Sequence, residues 1–293
     1  MNANLKNITH KNIDGKISQR ENVSIKDVEQ FWNNQPLFVG ESVYKEGTRE
    51  FFEHHSQVYI DDCFAGSIDS RIFKIDKDLP MLDLGCGIGF WVVEFYKRGF
   101  HNIVGADLSE NSLKIAKERL NLYSSTLAHN VFFKKENAEN LSFSNEVFNH
   151  VNCQGVVHHT PNPKKAILEI HRVLKQDGTA LISVYYKNSI LKNWSLFRPI
   201  AQLLKPGLSG RNREHIYKKN SIDEIVRMYD GSQNPLGLAF SRKEFVELLE
   251  PFKIYDMWYD FFPARSLKFK IPRFLHKFLS RVIPFMIFAK VKK

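Results

Sequence analysis

From Leu79 to Tyr186 short apolar runs alternate with segments whose apolar residues recur every three or four positions, the pattern of strands feeding helices. The runs predict strands over 80–84, 102–107, 131–136, 147–153 and 179–186, with helices over 90–98, 110–120 and 163–174. That alternation specifies a doubly wound α/β sheet with its ligand at the carboxyl ends of the strands, near the point where strand order reverses. Upstream, a helix begins near Ser24 with Val28, Phe31 and Trp32 on one side and ends around Asn33–Pro36. Another, from about Thr48 to Ser67, carries Phe51, Phe52, Val58 and Tyr59. Residues 1–25 are polar and rich in Asn, Lys and Ser, which predicts a loosely packed tail. The segment 188–242 interrupts the alternation with Gly, Pro, Asn and Arg around short helical pieces, and it reads as an insertion or lid. A helix over 242–250 and strands over 252–262 and 283–290 resume the fold, dividing the chain into a tail and helical cover, 1–78, and a main domain, 79–293.

The first strand of that domain runs into its ligand signal: Met81-Leu82-Asp83-Leu84-Gly85-Cys86-Gly87-Ile88-Gly89-Phe90. Glycines between a strand and a helix let backbone press against a ligand with no side chain in the way. A nicotinamide or flavin site uses Gly-x-Gly-x-x-Gly, whose amides hold a pyrophosphate. Here the spacing is Gly-x-Gly-x-Gly, and Asp83 stands two residues before the first glycine. An acid there repels a pyrophosphate and suits an ammonium group. The second strand, Asn102-Ile103-Val104-Gly105-Ala106-Asp107, ends in an acid about twenty residues on, where ribose hydroxyls of a nucleoside would lie. Taken alone, Asp107 could instead cap the following helix, a role for which Ser109 competes.

Together these residues resemble the class I S-adenosylmethionine-dependent methyltransferases, in particular their UbiE-like, type 11 small-molecule branch. The likeness continues through Lys135-Glu136-Asn137-Ala138-Glu139-Asn140-Leu141-Ser142-Phe143, similar to the family's adenine-facing run. It extends through Val156-Val157-His158-His159-Thr160-Pro161 and Ile170–Gly178, and is close over roughly residues 79 to 186. The resemblance implies a Rossmann-like, seven-stranded sheet with an antiparallel last strand, an N-terminal helical cover and S-adenosylmethionine as cofactor. It assigns cofactor contacts to Asp83, Gly85, Cys86, Gly87, Gly89, Phe90, Asp107, Leu108, Asn137, Ala138, Glu139, Gln154 and Gly155. Asn137 stands where the family usually has Asp, and Glu136 where it usually has Gly. A neutral Asn oxygen still accepts from an adenine amino group, but more weakly than a carboxylate.

A sulfonium methyl is already activated, so alignment and exclusion of water are the main requirements. His159, following the fourth strand, is the candidate catalytic base for an acceptor hydroxyl or amine; alternatively the His-His-Thr-Pro run only shapes the loop. Phe31, Trp32, Tyr44, Tyr59, Tyr185, Tyr186 and Trp194 are candidate cavity walls or ordinary packing residues. The expected acceptor is a small molecule. Cys153-Gln154-Gly155-Val156 replaces the Asn/Asp-Pro-Pro-Tyr of nucleic-acid methyltransferases, so no nucleic-acid partner is expected, and the loop glutamates of protein arginine methylation are missing. A non-catalytic binder of the same cofactor remains the alternative from another class, because this chemistry has no obligatory nucleophile whose loss would show.

At 293 residues and 43% hydrophobic content the chain has ample material for a core. Cys63, Cys86 and Cys153 lie too far apart to predict a zinc site or a disulfide framework, which points to a reducing compartment. The polar N-terminus and the absence of any bilayer-spanning run lead to a cytoplasmic expectation. Net charge is +10, yet residues 261–293 hold nine Lys or Arg and no acid, leaving +1 for everything else. Within the basic segment 263–282, Ile271, Phe274, Leu275, Phe278 and Val282 have helical spacing, with Arg273, His276, Lys277 and Arg281 interleaved. Such a helix either packs on the sheet with its charged face in water or lies on an anionic membrane surface, in which case the acceptor would be a lipid, quinone or other amphiphile.

Overall fold

Helix α1 (Ile25–Asn34) begins where it does because Ser24 closes a capping box: its hydroxyl accepts from Asp27 N, and the Asp27 carboxylate accepts from Ser24 N at 2.8 Å. Thr48 caps α2 (Arg49–Phe64), which stops at Ala65 in the left-handed region, φ 47°. The computed structural model describes residues 23–123, 130–204, 211, 213–267 and 269–293. Most of the polar tail and positions 205–210 and 212 of the inserted segment therefore lie outside the described residues.

Next come β1 (Met81–Leu84), α3 (Phe90–Tyr96), β2 (Ile103–Asp107), α4 (Glu110–Tyr123), β3 (Val131–Lys135), β4 (Phe148–Gln154), α5 (Pro163–Val173) and β5 (Leu174–Tyr186). The inserted segment holds α6 (Ser189–Lys192), α7 (Trp194–Leu204), α8 (Ile222–Tyr229) and β6 (Ala239–Phe240). Helix α9 (Arg242–Leu248), β7 (Lys253–Asp260), α10 (Arg273–Val282) and β8 (Met286–Lys292) complete the chain.

The sheet has the order β3-β2-β1-β4-β5-β8-β7, with β6 beside the end of β5. Strands β1 to β5 run parallel, and β8 lies antiparallel between β5 and β7. Eight strands thus replace the seven expected. The extra one is two residues, pairing Ala239 and Phe240 with Tyr185 and Tyr186, too short to leave a periodic signal. The last strand starts at Met286, later than the 283 expected, because Pro284 has no N–H for the ladder and its carbonyl instead accepts from Asn188 Nδ2 at 3.0 Å. Strand order reverses between β1 and β4, so Gly85 and Gln154 sit side by side at the switch point.

Helices α1 and α2 are built into this body. Val28 joins the cluster that holds Leu84 and Ala106, while Phe51 and Phe52 pack with Phe38, Ile88 and Ile115 against the glycine turn and α4. Phe52 is fully buried. Its replacement by Ala should cost about 3–5 kcal/mol, the usual loss for a core Phe. Urea denaturation followed by circular dichroism should show the whole transition moving to lower urea; an unchanged midpoint would mean that the cover unfolds separately.

Candidate functional site

The turn after β1 is held by its neighbour. Gly85 N and Cys86 N both donate to the Ala106 carbonyl, at 2.7 and 2.9 Å, and Gly87 N donates to Asp107 Oδ2 at 2.8 Å. Gly85 has φ +72°, and a Cβ there would lie 2.1 Å from Val156 Cγ2, so no other residue fits. Gly89 packs against Ala116 of α4. Gly87 and Gly155 differ: a Cβ on either would meet nothing within 4 Å, and both line the cavity. They leave open backbone faces where a ligand can approach.

Asp83 lies behind this turn, buried, outside the cavity wall. Its Oδ1 accepts from Asn152 Nδ2 at 2.7 Å, the Asn152 oxygen accepts from Gln154 Nε2 at 2.8 Å, and Gln154 lines the cavity. Asp83 Oδ2 is buried with no partner. Desolvation, opposed by the Asn152 hydrogen bond and reinforced by nearby Asp107, pushes the Asp83 carboxyl up to about 7. Burial likewise raises Asp107. Asp107 is not the cap of α4: Ser112 N donates to Ser109 Oγ at 3.0 Å, so Ser109 takes that role. The Asp107 carboxylate instead ties down Gly87 N and, at 2.8 Å, Ser109 N.

Leu108, Asn137 and Ala138 line the same side of the cavity. Asn137 Oδ1 accepts from Glu139 N at 3.0 Å, which leaves one lone pair of that oxygen for an adenine amino group. Glu139 turns to the loop before α5, where it accepts from Asn162 N at 2.6 Å. Glu136 is buried, accepting from Ser142 N and paired with Lys134 at 2.9 Å. Cys86 and Phe90 are buried beside the cavity rather than on its wall, with Phe90 packed on Tyr59 at 4.6 Å.

The cavity, about 240 Å³, lies between this floor and the cover. Of the aromatic candidates, Trp32, Tyr59 and Tyr185 line it; Phe31, Tyr44, Tyr186 and Trp194 do not. His159 is on the wall. Its Nδ1 faces the Leu236 carbonyl at 2.6 Å, a pure acceptor, so that nitrogen carries a hydrogen. Its Nε2 lies 3.2 Å from Asp230 Oδ2, which also accepts from the Tyr185 hydroxyl at 2.5 Å. Both ring nitrogens of His159 therefore have protein partners. His158 is buried against Tyr185 with both ring nitrogens unpartnered, and desolvation drives it well below the usual histidine range toward the neutral form.

Ion pairs close the far wall. Glu41 accepts from Arg213 at 2.8 Å and lies 3.3 Å from Arg265, while Asp62 accepts from Arg265 Nε at 3.0 Å and from the Tyr229 hydroxyl at 2.9 Å. Arg211 approaches Glu41 at 3.6 Å. Sequence reading missed Asn152, Asp230 and these charged residues. Their segments are remote in the chain and none forms a local motif.

Residues 82–182 match the family Methyltransf_11, a methyltransferase domain. YcgJ of Bacillus subtilis, named an uncharacterized methyltransferase, is 30% identical over 131 residues, 40% of this chain and 50% of that protein. A demethylmenaquinone methyltransferase of Lactiplantibacillus plantarum is 27% identical over 171 residues, 56% of this chain and 69% of the relative. The chain spans about half the length of several curated relatives it matches. A SAM-dependent methyltransferase structure from Methanosarcina mazei superposes with a TM-score of 0.53 at 20% identity, covering 78% of this chain and 98% of that one, which establishes a shared fold.

The buried Asp83 gives a pH signature. Its carboxyl binds a proton more tightly folded than unfolded, so its contribution to stability falls as pH rises from about 4, the unfolded value, to about 7. Asp83→Asn keeps an oxygen for Asn152 and removes that penalty. Thermal unfolding should give nearly equal midpoints for variant and wild type near pH 4 and a higher midpoint for the variant near pH 8. A difference that does not change with pH would count against the buried acid.

Proposed function

We propose that this chain, whose residues 82–182 form a methyltransferase domain, moves a methyl group from S-adenosylmethionine to an oxygen, nitrogen or carbon of a small-molecule acceptor. The observation that carries this is the open backbone of Gly87 and Gly155 facing one cavity that Asp107, bonded to the Gly87 amide, also lines. Asp107 would hold the ribose hydroxyls with the lone pairs that its loop amides leave free. Asp83, buried behind the wall with its unpartnered Oδ2, would reach the methionine ammonium through water, and Asn137 and Ala138 would face the adenine. When bound, S-adenosylmethionine supplies a methyl group already activated by its positive sulfur. The chain itself has to align the acceptor and keep water out, which suits a cavity closed by Trp32, Tyr59 and Tyr185 under helices α1 and α2. His159 is the candidate base on the wall: with Nδ1 donating to the Leu236 carbonyl, only Nε2 could take a proton from an acceptor hydroxyl or amine, and the acceptor would first have to replace Asp230, 3.2 Å away, at that nitrogen.

Asp107→Asn should weaken S-adenosylmethionine binding by about 1.5–3 kcal/mol, roughly 10- to 150-fold, the worth of hydrogen bonds to a charged acceptor. Calorimetry showing unchanged affinity would remove Asp107 from the ribose site. His159→Asn should lower kcat by about a hundredfold or more at unaltered cofactor affinity if it serves as base, whereas full turnover would leave it a loop-shaping role. The reaction itself is tested by incubating the protein with methyl-labelled S-adenosylmethionine and a lysate of its source organism, then separating organic from aqueous label. Label above a no-protein control in either phase supports transfer. Cofactor binding without any transfer would make the chain a binding protein.

A further inference from the structure

Helix α10 is built inside out. An amphipathic helix on a soluble domain normally buries its apolar stripe and turns its polar side to water. Here the residues buried are His276 and Ser280, whereas Phe274, Phe278 and Val282, successive on one face at i, i+4 and i+8, are 76%, 60% and 54% exposed. Of the stripe read from the sequence, Ile271 and Leu275 are half-buried, and Phe274, Phe278 and Val282 face outward. The polar side faces inward because it has partners there: His276 Nε2 donates to the Phe262 carbonyl at 2.8 Å, and Ser280 Oγ accepts from Phe262 N at 3.1 Å. These bonds hold α10 to the segment after β7 without using its aromatic side chains. Phe269, just before the helix, is 68% exposed as well.

We propose that α10 docks the protein on an anionic lipid bilayer, with Phe274, Phe278 and Val282 entering the interface and Lys277 and Arg281 meeting lipid phosphates. Charge selects this occupant. Of the nine Lys or Arg in residues 261–293, Arg265, Lys292 and Lys293 are paired with Asp62, Asp177 and Glu146, and Lys290 is buried. Lys277 and Arg281, however, stand exposed on α10, which contains no acid, so a second copy meeting this helix would bring like charges together, whereas an anionic leaflet is complementary. Arg273 has Asp61 at 3.7 Å, but no ion pair among the described residues occupies Lys277. No helix among the described residues is long and apolar enough to cross a membrane, so the contact is with its surface. Phe261, adjoining the Phe262 backbone that α10 grips, lines the cavity. If the methyl transfer proposed above holds, on which this last step rests, docking would set the cavity one layer from the bilayer and favour acceptors that dissolve in lipid.

The test uses the full chain without methyl donor, so its outcome is independent of the reaction. Co-sedimentation with vesicles of phosphatidylglycerol and phosphatidylcholine, about 3:7, is compared with phosphatidylcholine alone at about 0.1 M salt. Binding to the anionic vesicles alone is expected. Phe274→Ser with Phe278→Ser, and separately Lys277→Glu with Arg281→Glu, should each weaken it about tenfold or more. Because these side chains face water, thermal midpoints and cofactor affinity should stay at wild-type values. The proposal is overturned if the wild type ignores anionic vesicles, if the double Ser variant binds them equally, or if light scattering without lipid shows that variant dissociating a dimer.

Discussion

The site depends on the pairing of β1 with β2. Their parallel register sets Leu84 opposite Ala106, which brings the next two amides, of Gly85 and Cys86, onto the single carbonyl of Ala106. One residue further, the Gly87 amide reaches the Asp107 carboxylate. The acid that would bind a ribose is thus also the acid that shapes the loop under it, and a slip of register would separate the two. The same turn carries Ile88 into the cluster with Phe51 and Phe52, so the placement of α2 over the cavity follows from it.

Burial of charge is the second constraint. Asp83 is tolerated inside the sheet because Asn152 donates to it and because its carboxyl takes up a proton more readily there than in water. At the opposite wall, carboxylates from the cover, Glu41 and Asp62, meet the guanidiniums of Arg211, Arg213 and Arg265, while Asp230 lies 3.2 Å from His159 Nε2. Four separated stretches of chain are joined there by charge-assisted bonds. These bonds are directional, so they orient the cover and the inserted segment about the cavity in a way that apolar packing alone would leave looser.

Different physics operates at the two ends of the molecule. The switch point is defined by backbone amides and buried polar chains, while α10 is fastened through His276 and Ser280 so that its phenylalanines remain outside. A helix held by its polar side has its apolar side free for another medium.

By itself the sequence determined what local order can encode. Strand and helix periods yielded the parallel sheet, the glycine spacing yielded the ligand turn, and Asp107 at the end of β2 supplied its partner, since each depends on residues close in the chain. It also revealed the amphipathic stripe of 271–282 without showing which side would face in, because a period specifies that two faces differ and not what lies against them. Only tertiary structure decided that Ser109 rather than Asp107 caps α4, that Glu139 serves the α5 loop, and that Asn152 stands between Asp83 and Gln154. It likewise joined Asp230 to His159 and Asp62 to Arg265 across 71 and 203 positions of chain. Contacts at such separations arise from the path of the whole chain through the sheet, and no window of sequence contains both partners.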